Sequence, residues 1–197
     1  MHILLRKKKA AGRLFRHAYR STLSKITPIN QCTIAIDTQR LAVTRTSASD
    51  NRLITRIDDV ANMSDFDVSF DVFTDNYSNY TNPFLLYRTT NWAGAGLGYG
   101  YCLYFMNGQP RINAASNSGN SLPDFDYVGN VPYTNGWNRA RLKVVGSRHQ
   151  MWINDQLSMD FTHTRHSIGQ FGFGAYIGSS DNPASYYFRN LSINRIK

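Results

Sequence analysis

The segment Asp65-Phe-Asp-Val-Ser-Phe-Asp-Val-Phe73 alternates polar and apolar side chains without a slip. A β-strand turns successive side chains to opposite faces, so Phe66, Val68, Phe70 and Val72 share one face while Asp65, Asp67, Ser69 and Asp71 share the other. This pattern predicts a half-buried antiparallel strand whose outward Asp row is solvated and discourages edge pairing. The same period returns after Trp137, with Ala140, Leu142 and Val144 on the apolar face and Arg139, Arg141 and Lys143 opposite. Gly146-Ser147 then turns the chain toward Met151 and Ile153, and Asn154-Asp155 turns it again before Leu157, Met159 and Phe161. Phe171, Phe173, Ala175 and Ile177 alternate in turn, and Phe188 to Ile196 reads as a last strand. Short strands separated by Gly, Asn and Ser clusters predict an all-β antiparallel β-sandwich or jelly roll.

Composition agrees with that period. All 13 acidic residues are aspartate, so a strong helix former is missing. The net charge of +9 is unevenly placed: residues 1–25 carry eight of the 22 Lys and Arg and no acid, whereas the remainder carries 14 basic and 13 acidic residues. Leu14, Phe15, Ala18, Tyr19, Thr22, Leu23 and Ile26 recur at spacings of three and four, with Lys9, Arg13, Arg16 and Arg20 on another face. That spacing predicts a basic amphipathic helical arm. Pro28 disfavours helix at Thr27, so the expected organisation is an arm over 1–26, a connector over 27–35 and one sandwich domain over 36–197.

Such an arm suits nucleic-acid phosphates, an anionic membrane surface or a groove on another protein, and Arg6, Lys9, Arg13, Phe15, Arg16, Tyr19 and Arg20 are its expected docking residues. No stretch approaches the roughly 20 apolar residues that cross a bilayer, so no transmembrane segment is expected, and Ile3-Leu4-Leu5 is too short for a secretory signal core. Cys32 and Cys102 lack metal-ligand or CxxC spacing; they read as two buried thiols, with a disulfide between them as the alternative.

The order of segments carries a resemblance. Leu41-Ala-Val43, Phe66 to Phe73, Phe84-Leu-Leu-Tyr-Arg88, Gly98 to Tyr104, Trp137 to Val144, Met151-Trp-Ile-Asn154, Gly169-Gln-Phe-Gly-Phe173 and Phe188-Arg-Asn-Leu-Ser-Ile193 together resemble the concanavalin A-like lectin/glucanase superfamily, in particular its laminin-G-like branch. The resemblance covers about residues 36–197 and implies the sandwich fold. Its members include lectins, glycoside hydrolases, adhesion modules and virion surface proteins. The glucanases among them use two glutamates around an aspartate on one strand, because retaining hydrolysis needs two carboxyl groups about 5 Å apart. This chain has no glutamate, and the expectation is that it is not an enzyme.

Sugar recognition calls for flat aromatic faces beside Asn, Asp and Arg in a shallow cleft. Asp75 to Asn82 and Arg88 to Trp92 hold that mixture, so Tyr77, Tyr80, Arg88, Asn91 and Trp92, with Tyr127, are the expected glycan or interface contacts. Asp124 and Asp126 are the expected ligands if calcium is bound, as in some members of the superfamily; no other cofactor is expected. Trp137 and Trp152 lie within strand patterns and are expected in the core. His163-Thr-Arg-His166 reads as a loop, and Gly94 to Gly100 as a rim loop that lacks the Lys-Ser/Thr ending of a phosphate loop.

These readings combine into an expected multi-copy virion structural or decoration protein, assembled in a host cytoplasm, such as a phage head or tail module. Its arm would anchor it to other virion proteins, and its outward sandwich would hold host surface glycans through avidity. The alternatives are a single-jelly-roll capsid protein whose arm binds packaged nucleic acid, and a polysaccharide-acting enzyme in which Asp124 and Asp126 face Asp71 or Asp75 across a concave cleft.

Overall fold

The computed structural model describes residues 26–28, 32–36, 40–45, 52–58, 60, 62–74, 81–92, 98–115, 125–177 and 185–196. Within these lie β1 (Ile26–Pro28), β2 (Cys32–Ile36), β3 (Leu41–Arg45), β4 (Arg52–Ile57), β5 (Phe66–Thr74), β6 (Thr81–Thr90) and β7 (Tyr99–Met106). They continue with β8 (Gln109–Ala115), β9 (Phe125–Val128), β10 (Gly136–Val145), β11 (Arg148–Ile153), β12 (Gln156–Thr162), β13 (Gln170–Ile177) and β14 (Ser185–Arg195). The front sheet runs β1-β4-β13-β6-β7-β8-β9 and the back sheet β12-β11-β10-β5-β14-β3-β2, with antiparallel pairing throughout. Among the described residues no helix is long and apolar enough to cross a membrane.

The alternation read from the sequence is the alternation observed. Phe66, Val68, Phe70 and Val72 of β5 point inward with Ala140, Leu142 and Val144 of β10, and β5 pairs β10 in the register Phe70↔Ala140. They meet Leu85, Tyr87, Leu103, Phe105, Phe171 and Phe173 from the front sheet in one core. The rings interlock edge to face across the sheets: Phe66–Phe171 centroids lie 4.7 Å apart and Phe70–Phe173 5.4 Å apart. Such pairs add roughly 0.5–1.5 kcal/mol beyond their burial, which helps tie the two sheets together.

Three expectations need correction. Residues 27–35 are not simply a connector: Ile26–Pro28 and Cys32–Ile36 are strands of the two sheets, as the β-branched runs Ile-Thr and Thr-Ile-Ala-Ile allow. Trp137 and Trp152 are half-buried on the outer face of the back sheet instead of in the core. Because Ala140, Leu142, Met151 and Ile153 point inward, the two-residue period sends both indoles outward. The outward Asp row is also more than solvated. Arg141 makes a two-pronged bridge to Asp67 (Nε–Oδ1 3.0 Å, Nη2–Oδ2 2.6 Å), and Arg189 Nε donates to Asp71 at 3.1 Å.

Candidate functional site

β6 is buried on both sides, with Leu85 and Tyr87 in the core and Phe84 and Leu86 facing outward. On the outer side of the front sheet Ile54, Phe84, Leu86 and Cys102 form a second apolar cluster, and the half-buried rings of Trp92 and Tyr104 pack on it. Tyr104 meets Phe84 edge to face at 5.5 Å. Cys102 thus belongs to the front sheet, whereas Cys32 sits on β2 of the back sheet.

Trp92 is placed by two residues far away in sequence. The chain leaves β6 through Asn91, an exposed residue in the left-handed region (φ 53°) that Asn tolerates. The indole then lies over Gly172, where a β-carbon would come within 2.7 Å of the ring, and its Nε1 donates to Gln170 Oε1 at 2.9 Å. In Phe171-Gly-Phe173 the phenylalanines fill the core, and the glycine between them leaves room for the ring outside.

Beyond Tyr104 the same face becomes polar. Arg111 of β8 lies opposite Tyr104 and bridges Asp126 of β9, which lies opposite Asn113. With the Asn113 amide oriented to satisfy its neighbours, Nδ2 donates to Asp126 Oδ1 at 2.7 Å. From Gln170 to Asp126 the strip crosses β13, β6, β7, β8 and β9, roughly 19 Å at a strand spacing of about 4.8 Å. An extended ligand would find aromatic surface at Trp92 and Tyr104 and hydrogen-bonding groups at both ends.

Of the expected contacts, Trp92 and Asn91 lie at this strip. Arg88 does not, and the reason is a bulge. The register of β6 slips between Tyr87 and Thr90 against β7 and between Gln170 and Gly172 against β13, while Arg88 takes φ 49°. A bulge re-aims the side chain it carries, and Arg88, only 1% exposed, is turned into one end of the sandwich. There Nε donates to Ser64 O (2.9 Å), Nη1 to His166 O (3.0 Å) and Nη2 to Gly146 O (2.7 Å), with Asp65 Oδ1 at 3.6 Å. With its donors engaged and its surface covered, it has nothing to offer a ligand.

Tyr127 is also corrected. The alternation of β9 turns Asp126 outward and Tyr127 between the sheets, where its ring stacks on Phe161 at 4.6 Å. The calcium expectation loses Asp126, whose oxygens are taken by Arg111 and Asn113; among the described residues no cluster of His, Cys or Asp could hold a metal ion. Tyr77, Tyr80, Asp124 and the arm residues Arg6, Lys9, Arg13, Phe15, Arg16, Tyr19 and Arg20 lie outside the described residues. The enzyme alternative is narrowed too. Asp126 faces out from the front sheet and Asp71 from the back sheet, so the core, about 10 Å thick, lies between them. That separation is incompatible with a carboxylate pair sharing one cleft.

A polar cluster that sequence reading missed is buried beside Arg88. Tyr87 and Tyr101 stack with centroids 5.0 Å apart; Tyr87 Oη bonds His149 Nδ1 at 3.0 Å and Tyr101 Oη bonds His163 Nδ1 at 2.9 Å. His149 Nε2 lies 3.3 Å from His163 O, which can only accept, so Nε2 carries the proton and Nδ1 accepts from the Tyr87 hydroxyl. Burial, followed by the positive Arg88, lowers the His149 pKa to about 4. Burial, followed by Arg165, also lowers that of His163. Between pH 6.5 and 4 the unfolded chain therefore binds protons that the folded one refuses. Stability present above pH 6.5 should be lost as pH falls through this window, by about 3 kcal/mol for His149 alone. Urea titrations at pH 7, 5.5 and 4 check this; a midpoint independent of pH would contradict it.

The back sheet offers a different outer face. Arg189 lies over Trp137 (4.0 Å), Arg141 over Trp152 (4.9 Å) and Arg40 over Tyr187 (4.2 Å). Each of these aromatic rings already carries a guanidinium on one face. A shallow depression lined by Ser69, Asp71, Arg139 and Asn190 lies nearby, but Asp71 there is engaged by Arg189 and by Asn190 Nδ2 at 2.6 Å. The front face is the better candidate, because its two rings pack on an apolar floor beside the hydrogen-bonding groups of Gln170, Arg111 and Asn113.

No family model matches the sequence, and no curated protein matches it. Solved structures do. The carbohydrate binding module CBM66 from Bacillus subtilis superposes with a TM-score of 0.66 at 19% identity, over 86% of this chain and 94% of that one. Crh5 transglycosylase gives 0.67 at 10% identity, over 93% and 82%. The Bacillus licheniformis β-glucanase gives 0.63 at 11%, over 87% and 92%. At these identities the likeness is one of fold: like these proteins, the chain is a jelly-roll sandwich of two antiparallel sheets, the fold that the resemblance in the sequence implies.

Proposed function

We propose that the protein is a non-catalytic glycan-binding sandwich whose binding face is the outer side of the front sheet. The observation that carries this reading is the strip from Gln170 and Trp92 through Tyr104 to Arg111, Asn113 and Asp126, with stacking surface and hydrogen-bonding groups side by side. The carbohydrate-binding module and the sugar-acting enzymes that share the fold support it. Two features argue for binding without hydrolysis. The chain contains no glutamate, and among the described residues the one carboxylate on this strip, Asp126, is engaged by Arg111. A retaining or inverting mechanism needs a second carboxyl group across the bond.

Within this reading the basic arm anchors the sandwich to a larger particle, such as a virion, where many copies turn weak sites into retention. Full-length protein displayed multivalently on a glycan array should retain a subset of glycans and release no reducing ends from soluble polysaccharide. Trp92→Ala and Arg111→Met should each weaken retention at least tenfold while the protein stays folded, the loss of the half-buried indole costing about 1–3 kcal/mol of stability and that of Arg111 less. Retention unaffected by either change would move the site elsewhere. For the arm, Arg13, Arg16 and Arg20 replaced together by Gln should abolish particle association without altering glycan retention. Nucleic-acid binding that falls steeply with salt and disappears in this variant would favour the capsid reading instead.

A further inference from the structure

The buried Tyr–His–Arg cluster and Trp92 are joined by two short stretches of chain. Arg88 stands four residues before Trp92 on the bulged end of β6, so the backbone that carries the indole starts at the cluster. The second stretch is 163–170. His163 O lies against His149 Nε2, the His166 amide donates to Tyr101 Oη at 3.3 Å, and His166 O accepts from Arg88. Gly169 then lies flat against the bulge: a β-carbon there would be 2.3 Å from Arg88 C and 2.5 Å from Thr89 N, and the Met63 amide donates to Gly169 O at 2.9 Å. The next residue is Gln170, which holds the Trp92 indole. Both the hinge that carries the ring and the side chain that fixes it are therefore set by the same cluster.

That cluster has little tolerance for added positive charge. Against His149 of β11 stand Tyr87 and Arg88 from β6, Tyr101 from β7 and His163 from the segment after β12, with Arg165 acting on His163 and His166 packed on Tyr101. Asp65, before β5, is the carboxylate at this end among the described groups, and it already meets Arg88 and accepts from the Gly146 amide at 3.0 Å. A second proton on His149 would sit on Nδ1, facing the Tyr87 hydroxyl that now donates to it, beside a guanidinium that is already buried.

We propose that the Arg88–Tyr101–His149–His163 cluster positions Trp92 and makes ligand retention acid-sensitive, so that acidification frees the 163–170 segment, Trp92 loses Gln170 and a bound glycan is released. The last step rests on the reading of the front face as a glycan site. The direction follows from linkage: an opened segment takes up a proton on His149 at its ordinary pKa near 6.5, whereas the closed one resists until about 4. The open-to-closed ratio then rises by up to about 300-fold across that interval, and His163 adds to it in the same direction.

The test uses the full chain and the indole N–H resonances of its three tryptophans, with Trp92 assigned from a Trp92→Phe variant. Trp137 and Trp152, on the opposite sheet, serve as internal controls. Between pH 7 and 4.5 the Trp92 resonance should move to the position of a solvent-bonded indole and return on neutralisation, while the other two hold still. Glycan retention should fall at least tenfold over the same range. In Tyr87→Phe/His149→Phe, which removes the titrating ring and its Tyr87 partner together and leaves His163 O facing Tyr101 Oη at 3.4 Å, the acid response of both signals should shrink at least fivefold, the remainder being that of His163. A Gln170→Met variant supplies the second arm: its Trp92 resonance should already be solvent-like at pH 7 and indifferent to acid. A static Trp92 resonance in the parent, an unchanged acid profile in the double variant, or collapse of all three resonances together would overturn the proposal. If no glycan is retained at pH 7 the binding reading fails, and the resonances alone decide whether the latch exists.

Discussion

Replacing Arg88 by leucine is expected to cost about 4 kcal/mol of folding stability, a large share of what a single domain has. The side chain supplies donors to Ser64 O, Gly146 O and His166 O and sits 3.6 Å from Asp65, all at a closed end of the sandwich. Leucine fills much of the volume but leaves three carbonyls without the donors they face, and leaves Asp65 only the Gly146 amide. A carbonyl shielded from water costs about 1–3 kcal/mol when its donor is removed, and one that water can reach, as at the exposed Ser64 and Gly146, costs less. Arg88 also sits at φ 49°, a strain that its hydrogen bonds offset in the parent and that leucine would carry uncompensated. Lysine should recover part of the loss, since it keeps the charge but lacks the planar fork that reaches three segments at once. Urea midpoints of the parent, Arg88→Leu and Arg88→Lys should therefore fall in the order parent, lysine, leucine. A leucine variant within 1 kcal/mol of the parent would mean that Arg88 holds nothing together, and the expectation of a ligand contact would be restored.

The case of Arg88 shows where sequence reading stopped. In Phe84-Leu-Leu-Tyr-Arg88-Thr-Thr-Asn-Trp92 an arginine at the end of an apolar run looks like a rim residue, and nothing local announces a bulge that turns it inward. The bulge comes from register against β7 and β13, which arrive later in the chain. Elsewhere the information was present. Counting by two from Ala140 and Met151 already puts Trp137 and Trp152 outside, and the same count through Arg111-Ile-Asn113-Ala sets Arg111 and Asn113 on the face opposite Ile112. Those two strip residues were legible from alternation, although not as a site until β9 brought Asp126 beside them. Trp92 reads from the sequence as an aromatic ring in a polar loop, but the residue that holds it, Gln170, lies 78 positions further on. Strand alternation is a local property and survives translation into structure; the pairings that assemble a face depend on sheet order, which local patterning does not encode.

Gly172→Ala should be almost as damaging to binding as deleting the indole itself, although residue 172 need touch no ligand. The added methyl would stand 2.7 Å from Trp92 Cη2 and 2.9 Å from Cζ3, and 2.2 Å from Thr55 O. The ring can rotate away, but the carbonyl cannot follow, because Thr55 is paired with Phe173 and its Oγ1 donates to Phe173 O at 2.9 Å. The substitution therefore acts twice. It forces β4 and β13 apart, an overpacking cost of about 1–3 kcal/mol, and it drives Trp92 off its seat and away from Gln170, so glycan retention should drop at least tenfold, to the level of Trp92→Ala. Gly136→Ala is the matched control. Nothing lies within 4 Å of a β-carbon there, so that variant should carry only the strain of φ 99° and bind as the parent does. In a Trp92→Ala background the stability cost of Gly172→Ala should persist, since the clash with Thr55 O remains, whereas its effect on retention should vanish, since the ring it displaces is gone. Gly172→Ala with parental retention would show that the seat of Trp92 does not matter to the ligand, and the front face would lose its claim to be the site.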